Sequence, residues 1–274
     1  MLIGLIFGIS SYAIFCRFLK NISAIRLLTM LVVIFTMLMT KFYVIPLYSA
    51  EIYEIFLKSD EPVFELIAEK FPREFQTYID KVKECIVSNN NEDYLIIYKL
   101  EFLNSIFIKE ISLASNVSIY HYYQVQYKID ETLFKVDPRL VLFLEFSNKY
   151  TKKPNPSLII TIAGQDLTEQ IIAAKEAVIM SALIMPEKPI TADEKEAANA
   201  MIDTILADLS DNFGEKTVTE LDTHISDVAL SKESTVLYAT ILLEFYQKIL
   251  SSGQNNVGII YRYLMLQHAK PDSK

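Results

Sequence analysis

Two runs without a single charged residue dominate the start of this chain: MLIGLIFGISSYAIFC over Met1–Cys16 and LLTMLVVIFTMLMT over Leu27–Thr40. Neither is striped, so neither reads as a helix with one face on a core and the other in water. At 1.5 Å per residue, runs of this length cover about 21–24 Å, short of the ~30 Å hydrocarbon core. Their flanks make up the difference: Phe18 and Leu19 extend the first, Ile22 and Ile25 precede the second, and Phe42 to Tyr48 follow it. The expectation is a transmembrane helical hairpin in residues 1–50, with spans over about 2–19 and 23–46. Arg17, Lys20, Arg26 and Lys41 stand where long cationic side chains reach an interface, and Tyr43 and Tyr48 where an aromatic belt forms.

Charge divides the chain at the same place. Residues 1–50 hold those four cations and no acid, whereas the remainder holds 22 basic and 34 acidic residues, a net charge of -12. Three of the cations fall between Arg17 and Arg26, and Glu51, Glu54, Asp60 and Glu61 follow the second run. By the positive-inside rule the connection is cytoplasmic, which puts the acidic domain outside a bacterial inner membrane. So acidic a domain is repelled by phosphate backbones, and no Lys/Arg stripe overrides that, so nucleic acid is excluded as a partner.

Three other readings of the N-terminal region are weaker. Signal-peptide cleavage after Ala50 puts the bulky Tyr48 where a small residue belongs. A lipid anchor on Cys16 conflicts with Phe15 beside it, which leaves only juxtamembrane acylation. The first run can also be a buried core helix.

Beyond residue 50, helix-start signals recur. Composition agrees, since 6 Gly and 9 Pro in 274 residues, with 51% hydrophobic content, favour long helices over sandwiches or barrels. The fold class expected is all-α, with the hairpin followed by a domain of about nine helices. Pro62 and Pro72 each open a helix, and in the second Phe75, Tyr78, Ile79, Val82, Cys85 and Ile86 form one apolar face. Cys85 then reads as a small buried hydrophobe. Asn91, Ser115 or Asn116, Asp137 and Ser231 are candidate caps, and Asp166-x-x-Glu169, Thr191-x-x-Glu194 and Thr217-x-x-Glu220 match the capping box. The segment TKKPNP over 151–156 has two prolines and no apolar residue, and divides the domain into helical subdomains 51–150 and 157–274. The run Ser157–Ala163 before Gly164 reads either as a β-branched strand or as the start of a continuing helix.

Candidate chemistry is sparse. Of the three histidines, His224 has Glu220 and Asp227 at i-4 and i+3, so a helix there presents three metal-ligating groups on one face. Such a set can hold a divalent cation with an open water position, the arrangement of a metal-dependent hydrolase. A solvated helix face explains the same spacing, and no HExxH, Walker loop, Rossmann glycine pattern or GxSxG accompanies it. No cofactor is expected. Tyr120, Tyr123 and Tyr127 share a helical face, and Ile259, Ile260, Tyr263 and Leu264 give a last apolar helix; both are candidate surfaces for an unidentified protein partner. The function expected is a membrane-anchored, non-enzymatic interaction or scaffold protein of a bacterial envelope. Its alternatives are a secreted protein that inserts into another membrane and the metal-dependent hydrolase.

Overall fold

The structure, a computed structural model, describes residues 22–40, 45–87, 92–146, 155–219, 221 and 230–268. Among these the chain is all-α, with no strand. It divides into two compact units, residues 1–98 and 99–274. The division falls inside a helix, Glu92–Glu110, which no shift of composition marks, and helices from both sides of the proline segment pack together in the second unit.

In the first unit, α1 (Ile22–Met39) is followed by α2 (Ile45–Asp60), α3 (Pro62–Lys70) and α4 (Pro72–Val87). α2 crosses the expected anchor boundary at residue 50, with Pro46 in its first turn, where a missing N–H costs no intrahelical bond. α2 packs on α3 and α4 around Leu57, Phe64, Ile67, Phe75, Tyr78 and Val82, all buried. Cys85 is buried on the same face, and burial pushes its thiol pKa up, which keeps it unreactive.

α1 is built the other way round. Over residues 29–40, the half-buried positions are Thr29, Val32, Thr36 and Thr40, while Met30, Leu31, Val33, Ile34, Phe35, Met37, Leu38 and Met39 are exposed, Met37 at 67%. At 100° per residue those exposed apolar side chains cover about two-thirds of the circumference. Three of the four more sheltered residues are threonines, and Thr36 Oγ1 returns a hydrogen bond to the Val32 carbonyl at 2.8 Å.

The second unit begins within α5 (Glu92–Glu110), passes a 3-10 turn (Ile111–Leu113), and centres on α6 (Asn116–Val136). Then come α7 (Pro138–Glu145), α8 (Pro156–Ile184), α9 (Ala192–Phe213), α10 (Glu215–Thr219), α11 (Lys232–Ser251) and α12 (Gln254–His268). α6 is packed by α7, α8, α11 and α12. Ser115, Asp137, Thr191 and Ser231 all cap as their side chains allow, and Thr191 and Glu194 form the full reciprocal box.

Two expected caps are corrected. Residues 156–163 are helix, and Gly164 at φ 80° bends α8, so the helix resumes at Gln165, one residue before Asp166, and leaves Asp166 inside; Gln165 pairs with Glu169 instead. Thr217 sits within α10, which opens directly after Gly214, another residue with positive φ.

Arg262 on α12 is buried and points across the unit. Its Nε donates to the Ser112 carbonyl at 2.9 Å and its Nη2 to the Lys188 carbonyl, which joins the 3-10 turn and the 185–190 segment to α12. Gly258 lets α12 approach α6 closely, since a Cβ there would overlap the side chain of Asn116.

Candidate functional site

On α6, Tyr123, Gln126, Tyr127 and Asp130 recur every three or four residues and share one face. That face is closed in by Glu145 at the end of α7, Phe245 and Tyr246 of α11, and Tyr261, Leu264 and Met265 of α12. The space they surround is a cavity of about 190 Å³. An apolar cavity of about 150 Å³ is enough to hold benzene, so this one has room for a ligand of six or a few more heavy atoms.

The cavity's chemistry lies in two acids and a wall of rings. Asp130 is 0% exposed; its Oδ1 accepts from Gln126 Nε2 at 3.0 Å, and its Oδ2 has no hydrogen-bond partner. Glu145 is at the rim, an exposed residue whose Oε2 accepts from the Tyr246 hydroxyl at 2.5 Å. Tyr123 and Tyr261 stack within 9° of parallel, Tyr122 meets Tyr123 edge-on at 4.9 Å, and Phe107 lies 4.5 Å from Tyr122.

Burial, reinforced by repulsion from Glu145, pushes the Asp130 carboxyl well above the ordinary carboxylate range, with Gln126 pulling the other way. Crowding of its acid group by protein atoms raises Glu145 too, against the opposing hydrogen bond from Tyr246. Burial, and then the neighbouring acids and phenols, hold Tyr123, Tyr246 and Tyr261 well above ordinary tyrosines, so all three stay neutral donors. Among the described residues, no basic side chain lines the cavity.

Behind Tyr122, on the side facing α8, lies a second buried charge. Lys175 Nζ donates to Asn104 Oδ1 at 3.0 Å and stands 5.9 Å from the ring centres of Phe107 and Tyr122. Burial lowers its pKa to about 8. A lysine depressed in this way contributes its full stability above the unfolded value near 10.4 and loses it as pH falls through about 8. Lys175→Met, close in volume, removes that loss but gives up the Asn104 bond and two cation–π contacts. It should stabilise the second unit by about 1–2 kcal/mol at neutral pH and flatten the dependence between about pH 7 and 10. Urea melts across that range read the result; a variant less stable than wild type at neutral pH counts against the burial penalty.

Of the sequence-derived candidates, Tyr123, Tyr127 and Leu264 meet around the cavity, while Tyr120 is half-buried and does not line it. Ile259 is half-buried, and Tyr263 reaches Asn199 Oδ1 at 3.4 Å. Ile260 is 0% exposed, a core residue and not part of a docking surface, because α12 turns that face onto the rest of the unit. The metal candidates Glu220, His224 and Asp227 lie outside the described residues, as do Arg17, Lys20 and Lys41; Arg26 falls in the second turn of α1. Among the described residues no group of three His, Cys, Asp or Glu is placed to hold a metal. Sequence reasoning missed Asp130, Glu145, Tyr246 and Tyr261. Asp130 alone carried a local signal, an acid on the same helical face as Tyr123 and Tyr127.

No protein-family profile, no curated protein and no solved structure matches this chain.

Proposed function

We propose that this is a membrane-anchored, non-enzymatic binding protein of a bacterial envelope, held to the bilayer through residues 1–50 and presenting its acidic helical units to an as yet unidentified protein partner. The observation that carries the reading is the inverted build of residues 29–40, where most apolar side chains face outward and the threonines are among the more sheltered positions. Water penalises that surface at about 25 cal/mol for each Å² of apolar area, and lipid does not.

Among the described residues no helix is long and apolar enough to cross a membrane. The 18 residues of α1 cover about 27 Å against a core of ~30 Å, and the expected second span continues to residue 46, across residues 41–44, which are not described. The expected first span, 2–19, also lies outside the described residues. The cluster Arg17, Lys20 and Arg26 supports a cytoplasmic connection, with the acidic units on the opposite face of the inner membrane.

Membrane attachment predicts that the full-length chain resists alkaline carbonate extraction and floats with liposomes. Replacing Leu31 and Phe35 with aspartate costs insertion about 2.5–3.5 kcal/mol for each residue, so the double variant should shift strongly toward the soluble fraction. Wild-type protein recovered free of membranes sinks the proposal. Sidedness follows from thiol labelling of single-cysteine variants at Asn21 and Ser252 in a background without Cys16 and Cys85. Labelling of intact cells at Ser252 but not at Asn21 fits the orientation proposed, and the reverse pattern overturns it.

A further inference from the structure

The acid–tyrosine cavity goes beyond the membrane reading and does not depend on it, because every residue that lines it belongs to the second unit. We propose that it is a binding site for a small primary alkylammonium ion, with the ammonium group on Asp130 and the alkyl chain against Phe245, Leu264 and Met265.

The unpartnered Oδ2 of Asp130 sets the first requirement. A fully buried carboxylate oxygen without a donor is costly, and among the described residues the wall offers it no cation. An incoming N–H donor of positive charge supplies both the missing hydrogen bond and the missing charge. Glu145 at the rim adds a second negative charge, and Tyr123, Tyr127, Tyr246 and Tyr261 line the same space with aromatic rings, which attract a cation. The other part of the lining is apolar, which sets the second requirement. A hydrated inorganic ion gains nothing from Phe245, Leu264 and Met265, whereas an alkyl chain of four or five carbons fills that end within the available volume. A quaternary ammonium satisfies the rings but leaves Oδ2 without a donor, so the primary ion is preferred.

The ammonium can come from a free amine or from a lysine side chain of another protein, and the arms of one experiment separate these sources. Full-length protein in nonionic detergent is titrated calorimetrically, at constant ionic strength, with pentylammonium chloride, with 1-pentanol as its neutral counterpart, and with Nα-acetyllysine amide. Saturable one-to-one binding of an ammonium compound is expected, with 1-pentanol weaker by about tenfold or more, the loss typical of a charge-assisted bond left unmade. Tighter binding of pentylammonium assigns the site to free amines, and tighter binding of the lysine derivative assigns it to a protein partner.

Asp130→Asn should weaken ammonium binding by about tenfold or more while leaving 1-pentanol unchanged, since it removes charge and keeps shape. Thermal melts confirm that the variant is folded, and Glu145→Gln provides a second, milder reduction. Affinity should also rise with pH, because the cation takes the place of a proton on Asp130. The groups facing that acid are Tyr122, Tyr123 and Tyr127 of its own helix, Glu145 of α7, Tyr246 of α11 and Tyr261 of α12, while Lys175 of α8 lies beyond Tyr122. Equal binding of 1-pentanol, undiminished binding to Asp130→Asn, or no saturable binding of either ammonium compound overturns the assignment.

Discussion

Arg262→Leu should destabilise the second unit by roughly 3–5 kcal/mol, since each hydrogen bond from a charged donor contributes about 1.5–3 kcal/mol and this guanidinium makes two. Those bonds go to the Ser112 and Lys188 carbonyls, in a 3-10 turn and an irregular segment after α8. The Glu187 N–H donates to the Leu113 carbonyl at 2.8 Å, so turn and segment are already joined, and Arg262 fastens the pair. Burial lowers the pKa of the guanidinium, against attraction from Glu187 and Glu194, yet arginine stays charged at any ordinary pH. Leucine restores apolar volume and leaves two carbonyls without donors. In a unit of this size the melting temperature should fall by about 2–4 °C per kcal/mol, and Arg262→Lys, with one donor in place of a fork, should fall between the two. Far-ultraviolet circular dichroism melts measure this; a loss below about 1 kcal/mol means that water replaces the guanidinium at both carbonyls.

Asp130→Asn should act in the opposite direction. The folded state holds the Asp130 proton well above its unfolded value near 3.9, so the stability linked to it is complete below about pH 4 and is lost as pH rises through the raised folded value. The wild type carries a buried titrating acid with one unpartnered oxygen, and an amide of the same shape removes the cost of burying that acid at neutral pH, for a gain of about 1–3 kcal/mol. Asp137 and Glu194 titrate the other way. Their pKa values are lowered by hydrogen bonds from Arg139 and Thr191, and what they contribute disappears as pH falls below the carboxylate range. The difference between wild-type and Asp130→Asn stability, followed from acid to neutral pH, isolates the buried acid. It should widen steadily with pH; a constant difference shows that Asp130 titrates as a solvated carboxylate.

What could be read from the chain depended on the range of the interaction. Caps at Ser115, Asp137, Thr191 and Ser231 are settled within four residues, and all four form. Asp166 and Thr217 match the same local pattern but follow Gly164 and Gly214, whose positive φ starts the helices earlier and takes the capping position away from them. Proline marked helix starts well, and Pro156 proves to be one of them, in a segment that otherwise reads as a linker. The division into compact units at Tyr98 and Lys99 runs through a continuous helix and leaves no local trace.

The cavity follows the same rule. Its α6 portion has the helical spacing of Tyr123, Tyr127 and Asp130, but Glu145 joins them from the next helix, and Tyr246 and Tyr261 only through packing across more than 100 residues of chain. Arg262 is a single cation between Ile259, Ile260, Tyr261 and Tyr263, Leu264, and the apolar run around it concealed it.

The four-helix origin of the cavity has a consequence for how the protein is made. Synthesis proceeds from the N-terminus, so α6 and α7, which carry both acids, leave the ribosome before α11 and α12, which carry Tyr246 and Tyr261. While the later helices are still being made, Asp130 and Glu145 face water and are ionised at neutral pH, as ordinary carboxylates are. Closing the tyrosine wall over Asp130 raises its pKa by burial and so favours taking up a proton, or a cation in its place, from the surrounding solution. The final docking step of this unit is therefore also an uptake reaction, and its equilibrium follows the composition of the compartment in which the chain is completed.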